Sequence, residues 1–262
     1  MLYEKNADLG GYMNFLFYQR AAERESELAP IPHFHNSIEI CIVKKGCVSV
    51  FINGDWHTLV EGDVAFIDKL TPHTHGFRVE GADDPTYYVI IASATYLSGI
   101  GWLKKETLPT VTHRKEGFDD LIRFVDMAYE KINFRNAEMK LGFTTLLLGA
   151  LYEYCGHIPR RTEKSNRLIV DIMIYLNEHF KEDLRLEDLA GSFGYEKTYL
   201  SRTFNKYMGM NLREYLNRLR IDAVLKERAE NPDVPIYKIA EACGFENQNT
   251  FYRALNKYSG SK

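Results

Sequence analysis

Histidine side chains are concentrated in one part of this chain of 262 residues, because five of the eight lie between positions 33 and 75. His33, His35 and Glu39 occupy odd positions, so an extended strand presents all three on one face. Imidazole and carboxylate groups together suit Mn, Fe, Ni or Zn as ligands. The same groups could instead hydrogen-bond a small polar ligand. The residues alone leave both alternatives open.

A second group of polar side chains lies near the C-terminus, in a segment that occurs twice with an offset of 50 residues between Gly194 and Gly244. In each copy the outward faces of the second helix lack Asp and Glu, whose charge would repel phosphate. Amide, hydroxyl and guanidinium groups read base edges in a major groove, and lysines suit phosphates. The candidate DNA-binding residues are Lys197, Thr198, Ser201, Arg202 and Lys206 in the first copy, and Asn247, Gln248, Asn249, Thr250, Tyr252, Arg253 and Lys257 in the second.

The residues around this repeat predict a helix-turn-helix in each copy. Leu189 and Ala190 lie on the apolar stripe of a short amphipathic helix. Gly194 suits the left-handed backbone that ends such a helix. Tyr195 is predicted to return to the core, and a second helix follows with Leu200 facing inward. The second copy repeats this order with its own residues.

A continuous helix is predicted between the two copies, from Asn211 to about Ala229, ending at Asn231-Pro232. At a rise of about 1.5 Å per residue it spans roughly 28 Å. One turn of B-DNA is about 34 Å long. A connector of this length could place two recognition helices in successive major grooves.

Residues from about 165 to 260 resemble the DNA-binding domain of the AraC/XylS family of bacterial transcription regulators. The resemblance rests on Leu189-Ala190, Gly194-Tyr195, Leu200-Ser-Arg202, Arg218-Leu-Arg220 and Gly244-Phe245. It implies base contacts by Thr198, Ser201 and Arg202 in the first unit, and by Gln248, Asn249, Tyr252 and Arg253 in the second. It also implies double-stranded DNA and RNA polymerase as partners, and activation more often than repression. After Gly260 only Ser261 and Lys262 follow, where the family usually has a Pro-x-x-Tyr-Arg-like segment.

The overall charge is not that of a nonspecific nucleic-acid coat, since the formal net charge is −3. A site-specific regulator needs basic residues only on its docking face, and a modest net charge limits nonspecific trapping. The absence of acidic residues from the outer faces of the two recognition helices therefore favours DNA binding more strongly than the net charge of the chain argues against it.

Short apolar runs with turn signals predict strands in the N-terminal part, at Ile38–Val43, Val48–Ile52, Trp56–Leu59, Val64–Ile67 and Tyr87–Ala92. Asn53-Gly54 between two of these runs is a strong hairpin signal. Many short antiparallel strands in a segment of this size suggest a small barrel or jelly roll.

Two parts of this predicted barrel resemble the motifs of the cupin superfamily. His33-Phe-His35, Glu39 and Gly46 match the first motif, and Gly62-Asp63 with Pro72-His73 match the second less closely. The resemblance implies an effector pocket formed by His33, His35, Glu39 and His73, with His75 as a substitute for His73. No cofactor is required by this interpretation. One alternative is a divalent metal at the same four residues, and another is that these histidines serve only the structure.

By the resemblance alone, a sugar is the first candidate effector. Aromatic side chains near the barrel mouth are candidates to stack on such a ring: Phe15, Phe17, Tyr18, Phe34, Trp56, Phe66 and Phe77.

The predicted fold class is multi-domain α+β. A cupin-like barrel covers residues 1–100, and a helical segment covers 101–156, where two apolar helices cover the barrel or form a dimer interface. We favour the dimer contact. A polar linker is expected at 157–166 and an all-α DNA-binding domain with two helix-turn-helix units at 167–262.

Four cysteines without a C-x-x-C pair suit a reducing compartment. The N-terminus lacks the apolar run of a signal peptide, and the most apolar later stretch, Phe143–Leu151, is too short to span a bilayer. We therefore expect a cytoplasmic protein that does not bind membranes.

The leading hypothesis is a DNA-binding transcription regulator, an activator and not an enzyme, that responds to a small molecule in its barrel. The first alternative is a metal-dependent cupin enzyme, which leaves the two helix-turn-helix units unexplained. The second is a constitutive DNA-binding protein whose barrel serves only dimerisation.

Overall fold

The computed structural model describes residues 13–18, 32–74, 77–79, 82–93, 97, 106–131, 137–159 and 164–258. In these ranges the strands are β1 Met13–Tyr18, β2 Ser37–Lys45, β3 Cys47–Ile52, β4 Asp55–Val60, β5 Val64–Ile67, β6 Phe77–Arg78, β7 Thr86–Ser93, β8 Glu106–Thr107, β9 Val111–Thr112 and β10 Ile158–Pro159. The helices are α1 Phe118–Lys131, α2 Ala137–Cys155, α3 Lys164–His179, α4 Leu186–Phe193, α5 Lys197–Met208, α6 Leu212–Glu230, α7 Ile236–Ala242 and α8 Gln248–Tyr258.

The strands form an antiparallel sandwich, as the short apolar runs predicted. One sheet has five strands in the order β1-β7-β2-β5-β9, and another has three in the order β4-β3-β6. β3 and β4 pair up to Ile52 and Asp55, so the hairpin turn is Asn53-Gly54. Both turn residues have positive φ, 52° and 103°, which is the conformation of a type I′ turn and the reason glycine suits its second position. The hairpin prediction is confirmed.

Alternation along β2 gives the five-stranded sheet two apolar faces. Cys41 and Val43 pack with the three-stranded sheet inside the sandwich. Ile38, Ile40 and Ile42 point the other way and form a buried cluster with α1 and α2. Because β2 is buried on both faces, its apolar residues run almost without interruption.

The helices α1 and α2 cover the outer face of the five-stranded sheet through residues such as Leu121, Val125 and Leu147. Two roles were considered for these helices, to cover the barrel or to form a dimer interface. The structure shows that they cover the sheet. Leu146 lies on the opposite side of α2 and is 60% exposed. A dimer contact through that outer side stays a prediction.

The C-terminal helices form two cores that share α6. Its first half contributes Tyr215, Leu216 and Leu219 to a cluster with α3, α4 and α5. Its second half contributes Ile221 and Val224 to a cluster with α7 and α8. The connecting helix is thus observed within one residue of its predicted bounds at either end, and it fixes the two helix-turn-helix units on one rod.

Helix ends in the first unit follow the expected signals. Gly194 ends α4 with φ 71° and Gly209 ends α5 with φ 64°, both in the left-handed region. Glu196 caps α5, because its carboxylate accepts hydrogen bonds from the backbone N–H groups of Thr198 and Tyr199 at 3.0 and 3.2 Å.

The prediction that Tyr195 returns to the core is wrong. Tyr195 is 42% exposed and stacks on Tyr199, with ring centroids 5.4 Å apart. The equivalent Phe245 is buried at 4% exposure and packs edge-on against Phe251. A phenol can keep its hydroxyl in water on the surface, whereas the phenyl ring of Phe245 has no polar group to solvate.

The boundary between the two parts differs from the predicted linker at 157–166. Ile158 and Pro159 pair with Thr107 and Glu106, and α3 begins at Lys164. Residues 160–163 lie outside the described ranges. Within those ranges, no helix is both long enough and apolar enough to cross a membrane.

The start of α6 offers a test of its capping. The Asn211 side chain accepts a hydrogen bond from the Glu214 backbone N–H at 2.9 Å. Replacing this cap in Asn211→Ala should lower the free energy of unfolding by about 1 kcal/mol. Urea unfolding followed by circular dichroism measures the change, with Asn256→Ala, at an exposed asparagine inside α8, as the control. Parent-like stability of Asn211→Ala would show that the cap contributes nothing.

Candidate functional site

The four predicted pocket residues come together inside the N-terminal β-sandwich, which we continue to call the barrel. His33 and His73 face each other across a short antiparallel bridge, in which each backbone N–H donates to the other's carbonyl at 2.8 and 2.9 Å. His35 lies in the chain just before β2, and Glu39 lies near the start of β2. One ligand atom from each of the four residues lies within 4.8 Å of the others, and all four side chains are buried, with exposures between 1% and 5%.

Backbone carbonyls orient two of these imidazoles. His35 Nδ1 lies 3.0 Å from the Ser37 carbonyl oxygen, and His73 Nδ1 lies 2.8 Å from that of Thr71. A carbonyl only accepts hydrogen bonds, so Nδ1 carries the proton in both rings. The Nε2 atoms therefore point to the centre of the cluster, and each lies 3.4 Å from Glu39 Oε2.

The electrostatics of the cluster keep Glu39 ionised. Burial alone would raise the pKa of this carboxyl, but the positive potential of His73 and His33 and the hydrogen bonds from His35 and His73 hold it well below its usual value. On the same strand face, burial and the charge of Glu39 raise the pKa of the Cys41 thiol. Cys41 therefore stays a neutral thiol beside the cluster.

The donor set fits a divalent transition metal. Three imidazoles and one carboxylate are ligands that Mn, Fe, Ni and Zn accept. Ligating histidines typically donate their second ring N–H to a carbonyl or carboxylate, which is the arrangement of His35 and His73. Without a cation at the centre, a neutral Nε2 would present its lone pair to the Glu39 carboxylate. The cluster suits either a cation or protonated imidazoles.

The other residues considered for the pocket lie elsewhere or are not described. His75 lies outside the described residues, and so do the side chains of Phe15, Phe17, Tyr18 and Phe77. Phe66 faces the helices α1 and α2, and Trp56 is 54% exposed on β4. Phe34 leaves the barrel altogether, because it packs in the core of the first helix-turn-helix unit. The stacking prediction is therefore wrong for Phe34 and Phe66.

The candidate DNA-binding side chains form the outer faces of α5 and α8. Ser201 and Thr250 are partly buried, and the other ten are exposed: Lys197, Thr198, Arg202, Lys206, Asn247, Gln248, Asn249, Tyr252, Arg253 and Lys257. The inward residues Leu200, Phe204 and Phe251 are fully buried. Each helix thus has the separation of faces that the repeat predicted.

Some of these polar side chains already have partners within the protein. Lys197 pairs with Glu187 from α4, and Lys257 lies 3.3 Å from Glu214. The Asn247 side-chain oxygen accepts from the Thr250 backbone N–H at 2.8 Å, so this residue caps α8. The sequence did not reveal the two ion pairs, because Glu187 and Glu214 lie on other helices than their lysine partners.

The two recognition helices open on a common cleft of about 540 Å³. Ser201 of the first unit and Asn247 and Thr250 of the second unit line it, and α6 forms its floor with Arg213 and Asn217. The cleft is thus bordered by residues of α5 and of α8, one helix from each helix-turn-helix unit.

Arg220 is a residue whose role the sequence left open. Its guanidinium donates to the carbonyl oxygens of Phe180 and Glu182 at 2.7 and 2.8 Å, and so ties α6 to the turn after α3. In the sequence, the only indication that Arg220 has a specific role was its position in the Arg218-Leu-Arg220 motif.

Comparison with known proteins finds one family match in the N-terminal part of the chain and one in the C-terminal part. A family model described as "Helix-turn-helix domain" matches residues 189–262, and one described as "Cupin domain" matches residues 23–91. The HTH-type transcriptional activator AarP of Providencia stuartii is 31% identical over 101 residues, covering 38% of this chain and 74% of AarP. The HTH-type transcriptional activator RhaS of Enterobacter sp. (strain 638) is 24% identical over 227 residues, covering 84% of this chain and 81% of RhaS.

A solved structure, an apo form of a ToxT variant from Vibrio cholerae strain SCE256, aligns over 95% of this chain and 94% of its own at 13% identity, with a TM-score of 0.49.

Proposed function

Because this chain belongs to the AraC/XylS family of transcription regulators, we propose that it reads one DNA site through both recognition helices, under the control of a ligand in its barrel. The observation that carries the DNA-reading part is the position of α6 in two cores, with Ser201 of α5 and Thr250 of α8 lining one cleft beside it. This geometry favours two contacts in successive major grooves on one side of the duplex. A flexible tether between the units would not fix their separation.

Direct readout is assigned to the side chains at the centre of each outer face. Arg202 and Arg253 occupy the same position in the two units, and both are exposed. An arginine fork is the usual partner of guanine in the major groove. Gln248 and Asn249 provide amides suited to adenine, and Lys206 suits a phosphate.

The ligand that the barrel geometry supports best is a divalent metal ion held by His33, His35, Glu39 and His73. Two of the imidazoles are already oriented by carbonyls, and the donors are close enough for one ion. A bound metal would supply positive charge at the centre of the cluster and fix the four side chains relative to each other. A sugar as effector stays a prediction from the family resemblance.

Transcription activation, contact with RNA polymerase and a homodimer complete the proposal. AarP and RhaS are each named as a transcriptional activator, which supports the direction of regulation. The exposed outer side of α2, with Leu146, supports a contact between copies. The relatives reported above are regulators, and the cupin-enzyme alternative gives the two helix-turn-helix units no role.

Selection of bound fragments from genomic DNA by the purified protein tests the DNA-reading proposal. We expect a motif of two half-elements with centres about one helical turn apart, since α6 sets the distance between the units. Enrichment of a single short element, or of none, would contradict reading by both units.

Removing either recognition arginine should weaken specific binding. We expect Arg202→Ala and Arg253→Ala each to cost about 1–3 kcal/mol and to relax the preference at one base position, a different one for each variant. Titrations against systematically substituted sites measure both effects. Arg123→Ala, at an exposed arginine on α1, is the control. Parent-like affinity and selectivity in either variant would remove that arginine from the contact.

Metal binding by the barrel is tested on the whole protein. Calorimetry with Zn²⁺ or Ni²⁺ should find about one ion per chain, and His35→Ala and His73→Ala should weaken binding at least about tenfold because each removes a ligand. His57→Ala, on β4 outside the cluster, should bind like the parent. His35→Ala should keep its affinity for DNA but lose the response to metal. A retained response would exclude His35 from the sensing site.

A further inference from the structure

Phe34 connects the barrel site to the DNA-binding domain. It lies between His33 and His35, and alternation along the chain turns its side chain away from the cluster. The ring is fully buried among residues of α3, α4, α5 and α6, including Leu200 and Phe204 of the first helix-turn-helix unit. Leu70 packs against the same residues, and its backbone N–H donates to the His35 carbonyl at 2.8 Å.

A second contact joins the β3–β4 hairpin to the end of the first recognition helix. A Cβ added at Gly209, which ends α5, would lie 3.0 Å from two atoms of the Phe51 ring. A Cβ added at Gly54 in the hairpin turn would overlap the Lys206 carbonyl oxygen. The hairpin therefore lies directly against the last turn of α5.

The hairpin contact is also tied to the histidine cluster. Phe51 N–H donates to Thr74 Oγ1 at 3.1 Å, and Thr74 N–H donates to the Phe51 carbonyl at 3.0 Å. Asn53 N–H donates to the Pro72 carbonyl at 2.7 Å. The segment that carries His73 is thus hydrogen-bonded on both sides to the hairpin that touches α5.

We propose that this docking contact, formed by Phe34, Leu70, Phe51 and Gly54 against the first helix-turn-helix unit, transmits occupancy of the barrel site to the DNA-reading helix α5. A ligand that fixes His33, His35 and His73 also fixes the backbone to which the docking residues belong. Ligand binding therefore favours the docked arrangement. The proposal deepens the proposed function and rests on its assignment of a ligand site to the barrel.

Reciprocity makes this coupling measurable from the far side of the molecule. If the ligand favours docking by some factor, abolishing docking must weaken ligand binding by that same factor, and a substitution that opposes docking weakens it by up to that amount. A change in the helix-turn-helix unit, distant in sequence from the cluster, should then lower the metal affinity of the barrel.

The chain offers two glycine pairs with matched backbone conformation. Gly209 and Gly194 both end helices of the first unit with φ 64° and 71°, but nothing lies within 4 Å of a Cβ added at Gly194. Gly54 and Gly117 have φ 103° and 90°, and a Cβ at Gly117 also meets open space. In each pair an alanine strains the backbone similarly, and only the first member opposes docking.

The experiment compares the four alanine variants of the full chain. Calorimetry with Zn²⁺ should show a metal affinity at least about fivefold lower for Gly209→Ala and Gly54→Ala than for Gly194→Ala and Gly117→Ala, a factor at the lower end of known couplings. The metal-induced change in affinity for the selected DNA site should shrink in the same two variants.

Hydrogen exchange on the metal-free variants separates this proposal from the metal assignment. Backbone amides of Phe51, His73 and the last turn of α5 should exchange faster in Gly209→Ala and Gly54→Ala than in their controls. If the parent binds no metal, the metal assignment fails, and exchange alone decides on docking. Equal exchange in test and control variants overturns the proposal in either case, and so does equal metal affinity where the parent binds metal.

Discussion

Side-chain alternation along one stretch of extended chain determines how the parts of this protein meet. From His33 to Val43, odd positions point into the sandwich and even positions point out of it. The inward residues include the histidine–glutamate cluster and part of the sandwich core. Of the outward residues, Ile38, Ile40 and Ile42 pack against α1 and α2, whereas Phe34 packs against the first helix-turn-helix unit. A shift of one residue would exchange the two sets, which would bury the charged cluster against helices and leave the sandwich without its core.

The helix α6 imposes a comparable constraint on the DNA-binding half. A helix that belongs to two hydrophobic cores cannot move relative to one unit without disturbing the other, because protein cores are densely packed. Arg220 adds hydrogen bonds to the turn after α3, and the Glu214–Lys257 ion pair links α6 with α8. The exposed pair contributes little energy by itself. The separation of the recognition helices is therefore set mainly by apolar packing along α6.

In the part of the chain that the structure describes, the segments that carry the histidine cluster pack against the first helix-turn-helix unit. The residues that adjoin the cluster, Phe34 and Phe51, contact the side of the domain that carries α5. The core around α7 and α8 contains no barrel residue within the described part of the chain. If DNA is read by both units as proposed, control of one unit is enough to change affinity, because both contacts are needed for tight binding to a two-part site.

The sequence by itself determined the local structure and the chemical character of each part. Period-2 and period-3.6 patterns predicted the main strands, the hairpin turn, both helix-turn-helix units and the connector, because these patterns record which face of an element is buried. Spacing also predicted that His33, His35 and Glu39 share a face, and the cupin resemblance added His73. The sequence did not predict the exposure of Tyr195, the pairing of Lys197 with Glu187, or the departure of Phe34 from the pocket. Those features depend on residues far apart in the chain that only tertiary packing brings into contact, and a one-dimensional pattern shows that a side chain is buried without showing what buries it.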